Sequence, residues 1–214
     1  MFEKQEIAVK VREATVVEIY KKTGKRYVPV AISNRHVHLS REDLDVLFGK
    51  GYELTQLRPL LQPGQYASKE TVSLSGPKGK IDGVRVLGPV RKNTQVEISV
   101  TDSFKLGIAP VVRMSGNTSA SPGGRIETAR GSADMKEGVI VAARHLHMSA
   151  KQAETMRVSD GQVVSLRAGG GRGIVLEHVV VRSGDGHEME AHIDTDEANA
   201  ALLKDGDIVE LVLE

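Results

Sequence analysis

Arg35-His36-Val37-His38-Leu39-Ser40 and Arg144-His145-Leu146-His147-Met148-Ser149 are one phrase written twice. Each copy reads arginine, histidine, apolar, histidine, apolar, serine. Four of the chain's seven histidines stand in it. On a strand, residues i and i+2 project from the same face, so each copy aims two imidazoles in one direction. A single His-x-His is most often an ordinary surface or core feature. A repeated pair with the same flanks points instead to two related halves, each with a metal-binding strand, because neutral imidazole is the commonest protein metal ligand.

Working outward, Val28, Val30 and Ile32 alternate toward the first pair as a strand does. After each pair comes a helix start. Ser40-Arg41-Glu42-Asp43 precedes Leu44 and Leu47, and Ser149-Ala150-Lys151-Gln152 precedes Ala153 and Met156; both resemble capping boxes. Further strands are predicted over 71–74, 84–87 and 96–100, and over 163–166, 174–176, 178–181, 189–193 and 208–213, with glycine turns between them. Many short strands with short helices predict a mainly β fold of two tandem β-barrel domains related by internal duplication and capped by short α-helices. The expected division is 1–24 for an N-terminal helix, 25–125 for the first barrel and 126–214 for the second. The Ser- and Gly-rich stretch 112–130 is read as the connector, and the active site is expected at the domain interface. Ile7, Val11, Ala14, Val17 and Tyr20 have helical spacing, with Gly24 as the stop. This amphipathic helix either packs on a core or docks on a partner protein.

Twenty-nine basic residues face 28 acidic ones, a net charge of +1, which is not the footprint of a nucleic-acid binder. No apolar run approaches the ~20 residues of a membrane span, and residues 1–7 lack the apolar stretch of a secretory signal. There is no cysteine, which fits a cytoplasmic protein and restricts any metal to nitrogen and oxygen ligands. Three Phe, four Tyr and no Trp leave the core to aliphatic side chains.

A catalytic zinc commonly takes three protein ligands and keeps one position open. His192, in Glu190-Ala191-His192-Ile193-Asp194, and Glu97, in Gln95-Val96-Glu97-Ile98-Ser99, occupy similar places in the two halves. The predicted triads are His36, His38 and Glu97, and His145, His147 and His192. Without its repeat partner, Glu97 would read as a solvated strand residue. His178 and His187 are left out, as a mid-strand residue and a turn residue. Arg91, a surface charge if taken alone, suits phosphate beside a metal pair because its planar fork matches two phosphate oxygens. Arg35 and Arg144 point away from the imidazoles and are expected in structural ion pairs. Ser115-Gly116-Asn117 can donate to an anion.

These residues carry a family resemblance. Ser33-Asn34-Arg35-His36-Val37-His38-Leu39-Ser40, the stretch Leu60 to Ala67, Gln95 to Ser99, Arg113-Met114-Ser115-Gly116-Asn117, Ala143 to Ser149 and the stretch His192 to Ala200 resemble, in order, the PduL-type phosphotransacylases, or phosphate propanoyltransferases. The resemblance runs from about Val28 to the C-terminus. It implies reversible acyl transfer between coenzyme A and phosphate, with propanoyl-CoA or acetyl-CoA as substrate, at two zinc ions held by the two triads. It implies that Arg91 contacts phosphate and that Ser115 lies near the site. It also implies a homo-oligomer, with residues 1–22 engaging shell or core proteins of a bacterial microcompartment for propanediol degradation; other members are free in the cytosol. Neither a nucleic acid nor a membrane is an expected partner. Cobalt or manganese also suits such donors. Two other readings stand beside this one. A cupin-like single-metal enzyme would use His36, His38 and Glu42, and a non-enzymatic scaffold would close four protein ligands around each zinc.

Overall fold

The structure is a computed structural model describing residues 2–213, with side chains from Ile7 on. The elements run α1 (Phe2–Thr23), β1 (Arg26–Ser33), β2 (His36–His38), α2 (Arg41–Phe48), β3 (Gln56–Pro59), β4 (Tyr66–Ser75), β5 (Lys80–Gly88), β6 (Gln95–Glu97), α3 (Val100–Leu106), β7 (Val112–Arg113), β8 (Gly124–Glu127), β9 (Ser132–Met135), β10 (Val139–Ala142), β11 (His145–Met148), α4 (Ala150–Met156), β12 (Val163–Ala168), β13 (Ile174–Ser183), β14 (Glu190–Asp194), α5 (Thr195–Ala201) and β15 (Ile208–Leu213). The protein is mainly β, as the alternation predicts, and among the described residues no aromatic side chain belongs to the buried apolar set.

One compact unit joins the chain up to Ser33 with the chain from Arg144 on; the other is residues 34–143. The first closes as a six-stranded barrel in the order β1-β14-β11-β13-β12-β15. Its interior is filled by Leu146, Met148, Leu166, Val179, Val181, Met189 and Ile193. The second is a curled half-barrel: a nine-stranded sheet in the order β7-β10-β6-β2-β5-β4-β8-β9, with β3 beside β4. Val37, Leu39, Leu74, Val86, Val96 and Ile126 lie in its core.

The division differs from the expected one in an informative way. β1 leads into the first histidine pair, yet it pairs in parallel with β14 and antiparallel with β15. β10 leads into the second pair, yet it runs parallel to β6. Each half therefore lends its leading strand to the other half's sheet. The boundaries fall after Ser33 and after Ala143, not after residues 24 and 125. The stretch 112–130 is also not a free connector: β7 pairs with β10, and β8 pairs with β4 and β9. Its serines and glycines shape turns within one sheet. The strand expected over 96–100 stops at Glu97, because Ser99 caps α3 in a full capping box with Asp102.

α1 belongs to the barrel. Val16 is 2% exposed, Val17 and Tyr20 pack on the same core, and Arg12 donates to the Gly206 carbonyl at 3.2 Å. Ile7 and Val11 face outward, at 56% and 59% exposed. Deleting residues 1–22 should therefore lower unfolding stability by about 3 kcal/mol, from the apolar area uncovered. Urea denaturation of the truncated chain checks this, and an unchanged midpoint would contradict the packing role.

Candidate metal centres

The two centres are built by the same rule. β2 and β6 are antiparallel, with His36 opposite Glu97, Val37 opposite Val96 and His38 opposite Gln95. Directly opposed residues share a face, so the two histidines, Glu97 and Gln95 point one way, while Val37 and Val96 enter the core. In the barrel, β11 and β14 repeat this: His145 faces His192, Leu146 faces Ala191 and His147 faces Glu190. Leu146 and Ala191 turn inward. One ligand atom from each of His36, His38 and Glu97 lies within 4.8 Å of the others, and the same holds for His145, His147 and His192. All six predicted ligands are thus gathered into the two predicted triads.

In the first triad, His36 Nδ1 sits 2.9 Å from the Asn34 carbonyl. That bond places the proton on Nδ1 and leaves the Nε2 lone pair facing Glu97 Oε2, 3.6 Å away. Burial pushes the His36 pKa down, but the Glu97 carboxylate outweighs burial and raises it. His38 is driven down to about 3 by burial and by the charges of His36 and Arg91. Burial pushes Glu97 up; His36, His38 and a Ser115 hydrogen bond together hold it well below the usual carboxylate range. In the second triad the rings of His145, His147 and His192 stand 4.7–4.9 Å apart. Burial and the neighbouring histidines push His147 down to about 2. His38 and His147 are thus held as neutral imidazoles and Glu97 as an ionised carboxylate, the states that ligate metal.

Both centres also contain a buried ring nitrogen with no hydrogen-bond partner. These are His38 Nδ1 and His147 Nδ1, and leaving such an atom unpaired costs roughly 1–3 kcal/mol. A divalent cation fits them, and the nitrogen and oxygen donors suit zinc. Without metal, the depressed histidines make the fold acid-sensitive. Their folded pKa values lie below the ordinary 6.5, so the stabilisation is complete above pH 6.5 and is lost as pH falls. His36, raised, opposes this in part. Metal-free protein should lose about 2–3 kcal/mol of unfolding free energy between pH 7 and pH 5. Urea titrations with chelator present test this, and a flat profile would contradict it.

Arg91 follows β5, its backbone N–H bonded to the Leu39 carbonyl at 2.9 Å. It is near enough for its charge to lower both His36 and His38. Ser115 Oγ accepts from Gln95 Nε2 at 2.9 Å. The motif arginines are structural, as expected. Arg35 Nε meets Asp102 at 2.8 Å and Arg144 Nε meets Glu197 at 2.5 Å. Each acid stands third in the helix that follows the strand of the third ligand. Glu42 lies exposed on α2, so the cupin-like grouping does not form.

Two residues beside the ligands carry no role in the sequence reading, and a third, His187, is set aside by it. Gln95 and Glu190 each lie two positions before a third ligand, and the strand period that grouped the histidines would have found them. His187 stacks on His147 at 4.6 Å; a turn residue gives no periodic signal. Among the described residues, no helix is long and apolar enough to cross a membrane.

The comparisons with known proteins name one family. A family model for phosphate propanoyltransferase matches residues 29–204. The phosphate propanoyltransferase of Thermotoga maritima is 52% identical over 199 residues, covering 92% of this chain and 95% of that protein. Those of Rhodopseudomonas palustris and Salmonella typhimurium are 49% and 46% identical, covering 86% and 88% of this chain and 81% and 90% of theirs. An acyltransferase with coenzyme A as substrate accords with the paired triads and the arginine beside one of them, and the chain belongs to the phosphate propanoyltransferase family.

Proposed function

We propose that this phosphate acyltransferase works with two zinc ions, one held by His36, His38 and Glu97 and the other by His145, His147 and His192. The observation that carries the reading is the pair of buried triads, each with its ligand atoms within 4.8 Å. The proposed reaction is acyl-CoA plus hydrogen phosphate giving acyl phosphate plus coenzyme A. A phosphate oxygen forms a bond to the thioester carbonyl carbon, the carbon–sulfur bond breaks, and the phosphate proton ends on sulfur. Bound metal supplies Lewis-acid polarisation and a cation for developing negative charge.

The chain's own groups do the rest. Arg91 orients phosphate with its fork and offsets its charge. Ser115 and Gln95 fix the Glu97 carboxylate, and burial behind β2 and β11 keeps His38 and His147 neutral. Attack is direct, with no acyl-enzyme, and the chain has no cysteine to carry an acyl group. The duplication keeps both triads complete. The relatives' names favour propanoyl-CoA, with acetyl-CoA as the next substrate. The outward face of α1, with Ile7 and Val11, is proposed to engage microcompartment proteins.

The test is thiol release from acetyl-, propanoyl- and butanoyl-CoA, with and without phosphate, before and after chelation. Release that needs phosphate, fails after chelation and returns with zinc supports the reading. Release insensitive to chelation removes the metal mechanism. Trapping an acyl-protein at a competent rate removes direct attack.

A further inference from the structure

We propose that Gln95 and Glu190 are matched positioning residues, each holding the third ligand of its centre and together leaving each centre with one side-chain carboxylate. The inference rests on the metal reading above and concerns what stands behind the ligands.

The two residues are equivalent by register. Gln95 lies opposite His38 on β6, and Glu190 lies opposite His147 on β14. Each is two residues before the third ligand and on its face, and each bonds that ligand. Gln95 Nε2 donates to Glu97 Oε1 at 2.7 Å. Glu190 Oε2 accepts a hydrogen bond from His192 Nε2 at 2.9 Å. The polarity is reversed because the ligand is. A carboxylate ligand needs a donor behind it. An imidazole ligand needs an acceptor, which fixes its proton on one nitrogen and frees the other for the cation.

The amide of Gln95 cannot turn to fit another ligand. Its Oε1 accepts the Gly116 N–H at 2.8 Å while its Nε2 also donates to Ser115 Oγ at 2.9 Å. A glutamate in its place would set two carboxylates together and lose the donor. A glutamine at 190 would lose the charge that supports His192.

The exchange also keeps the carboxylate in each centre. The first centre has its carboxylate as a ligand, Glu97, with a neutral amide behind it. The second has three neutral ligands and its carboxylate behind one of them, Glu190. Each therefore sets one carboxylate among its ligands or directly behind them. Replacing glutamate by histidine at the third ligand, with no other change, would have left one centre without a carboxylate. The exchange of Gln for Glu two residues earlier cancels that.

The test is zinc and cobalt(II) titration against a competing chelator, counting ions per chain and following cobalt absorption, with circular dichroism of each metal-free variant as the folding check. The parent should take up two ions. Glu190→Gln should weaken one ion at least about tenfold and leave the other near its parent affinity. Gln95→Glu should weaken the other one. His192→Glu combined with Glu190→Gln, which rewrites the second centre in the residues of the first, should recover most of that loss. Parent affinity for both ions in Glu190→Gln, or no recovery in the combined variant, would overturn the proposal while leaving the metal reading intact. A parent that takes up no ion would overturn both.

Discussion

Replacing His147 by alanine is expected to leave one bound metal ion per chain in place of two and to lower turnover by about 10³-fold or more. Two opposed effects make this variant informative. In the metal-free state, alanine removes a buried nitrogen that lacks a partner, so the substitution opens a small space but also relieves a desolvated atom. Metal-free stability should change little, and its acid sensitivity should fall. In the metal-loaded state the loss is large. A ligand present at 1,000 times its dissociation constant stabilises the fold by about 4 kcal/mol, and this variant forfeits that term at one centre. Thermal unfolding with and without zinc, beside metal analysis and the thiol assay, separates the two. A variant that keeps both ions, or keeps turnover within tenfold, would remove His147 from the metal centre.

Arg91→Ala should lower kcat/KM for phosphate by about 10²-fold or more, the scale for losing one charged donor at a reacting anion. The KM for acyl-CoA should move far less. Arg91→Lys should recover only part of the loss, because a point charge cannot reproduce a bidentate fork. Removing the charge also relieves its depression of His36 and His38, so chelator competition at the first centre should shift modestly with pH. Equal loss for both substrates would mean that Arg91 supports the fold rather than phosphate.

The histidine pairs were legible because a strand has period two and because the phrase recurs. Repetition lifts Glu97 and His192 out of the background: each alone is an ordinary strand residue, and only their like places in the two halves make them ligands. The capping serines and the structural role of Arg35 and Arg144 were legible for the same local reasons. What periodicity cannot convey is which strand lies beside which. The alternation in β1 predicts a strand but names no neighbour, and the neighbours prove to be β14 and β15, more than 150 residues on. For that reason the exchange of leading strands between the two halves is not legible in the sequence. The 112–130 stretch was misread because Ser and Gly mark turns whether or not those turns lie between domains.

The exchanged leading strands set a timetable for synthesis. Residues 34–143 form a contiguous unit that can fold as soon as it leaves the ribosome. β1 is made before it and has no strand partner until β14 and then β15 follow it out. At about 5–20 residues per second, that strand waits on the order of ten seconds or more with its backbone unpaired, the state in which strand edges join other chains. The residues of β1 suit such a wait. Arg26 places a charge at its start, and Pro29 withholds one donor from its middle. Release of the last strand then closes the barrel. A nascent chain stalled before residue 208 should therefore carry a folded half-barrel and an unclosed partner unit, and a gene permuted to begin at Asn34 would let both units form in the order in which they are made.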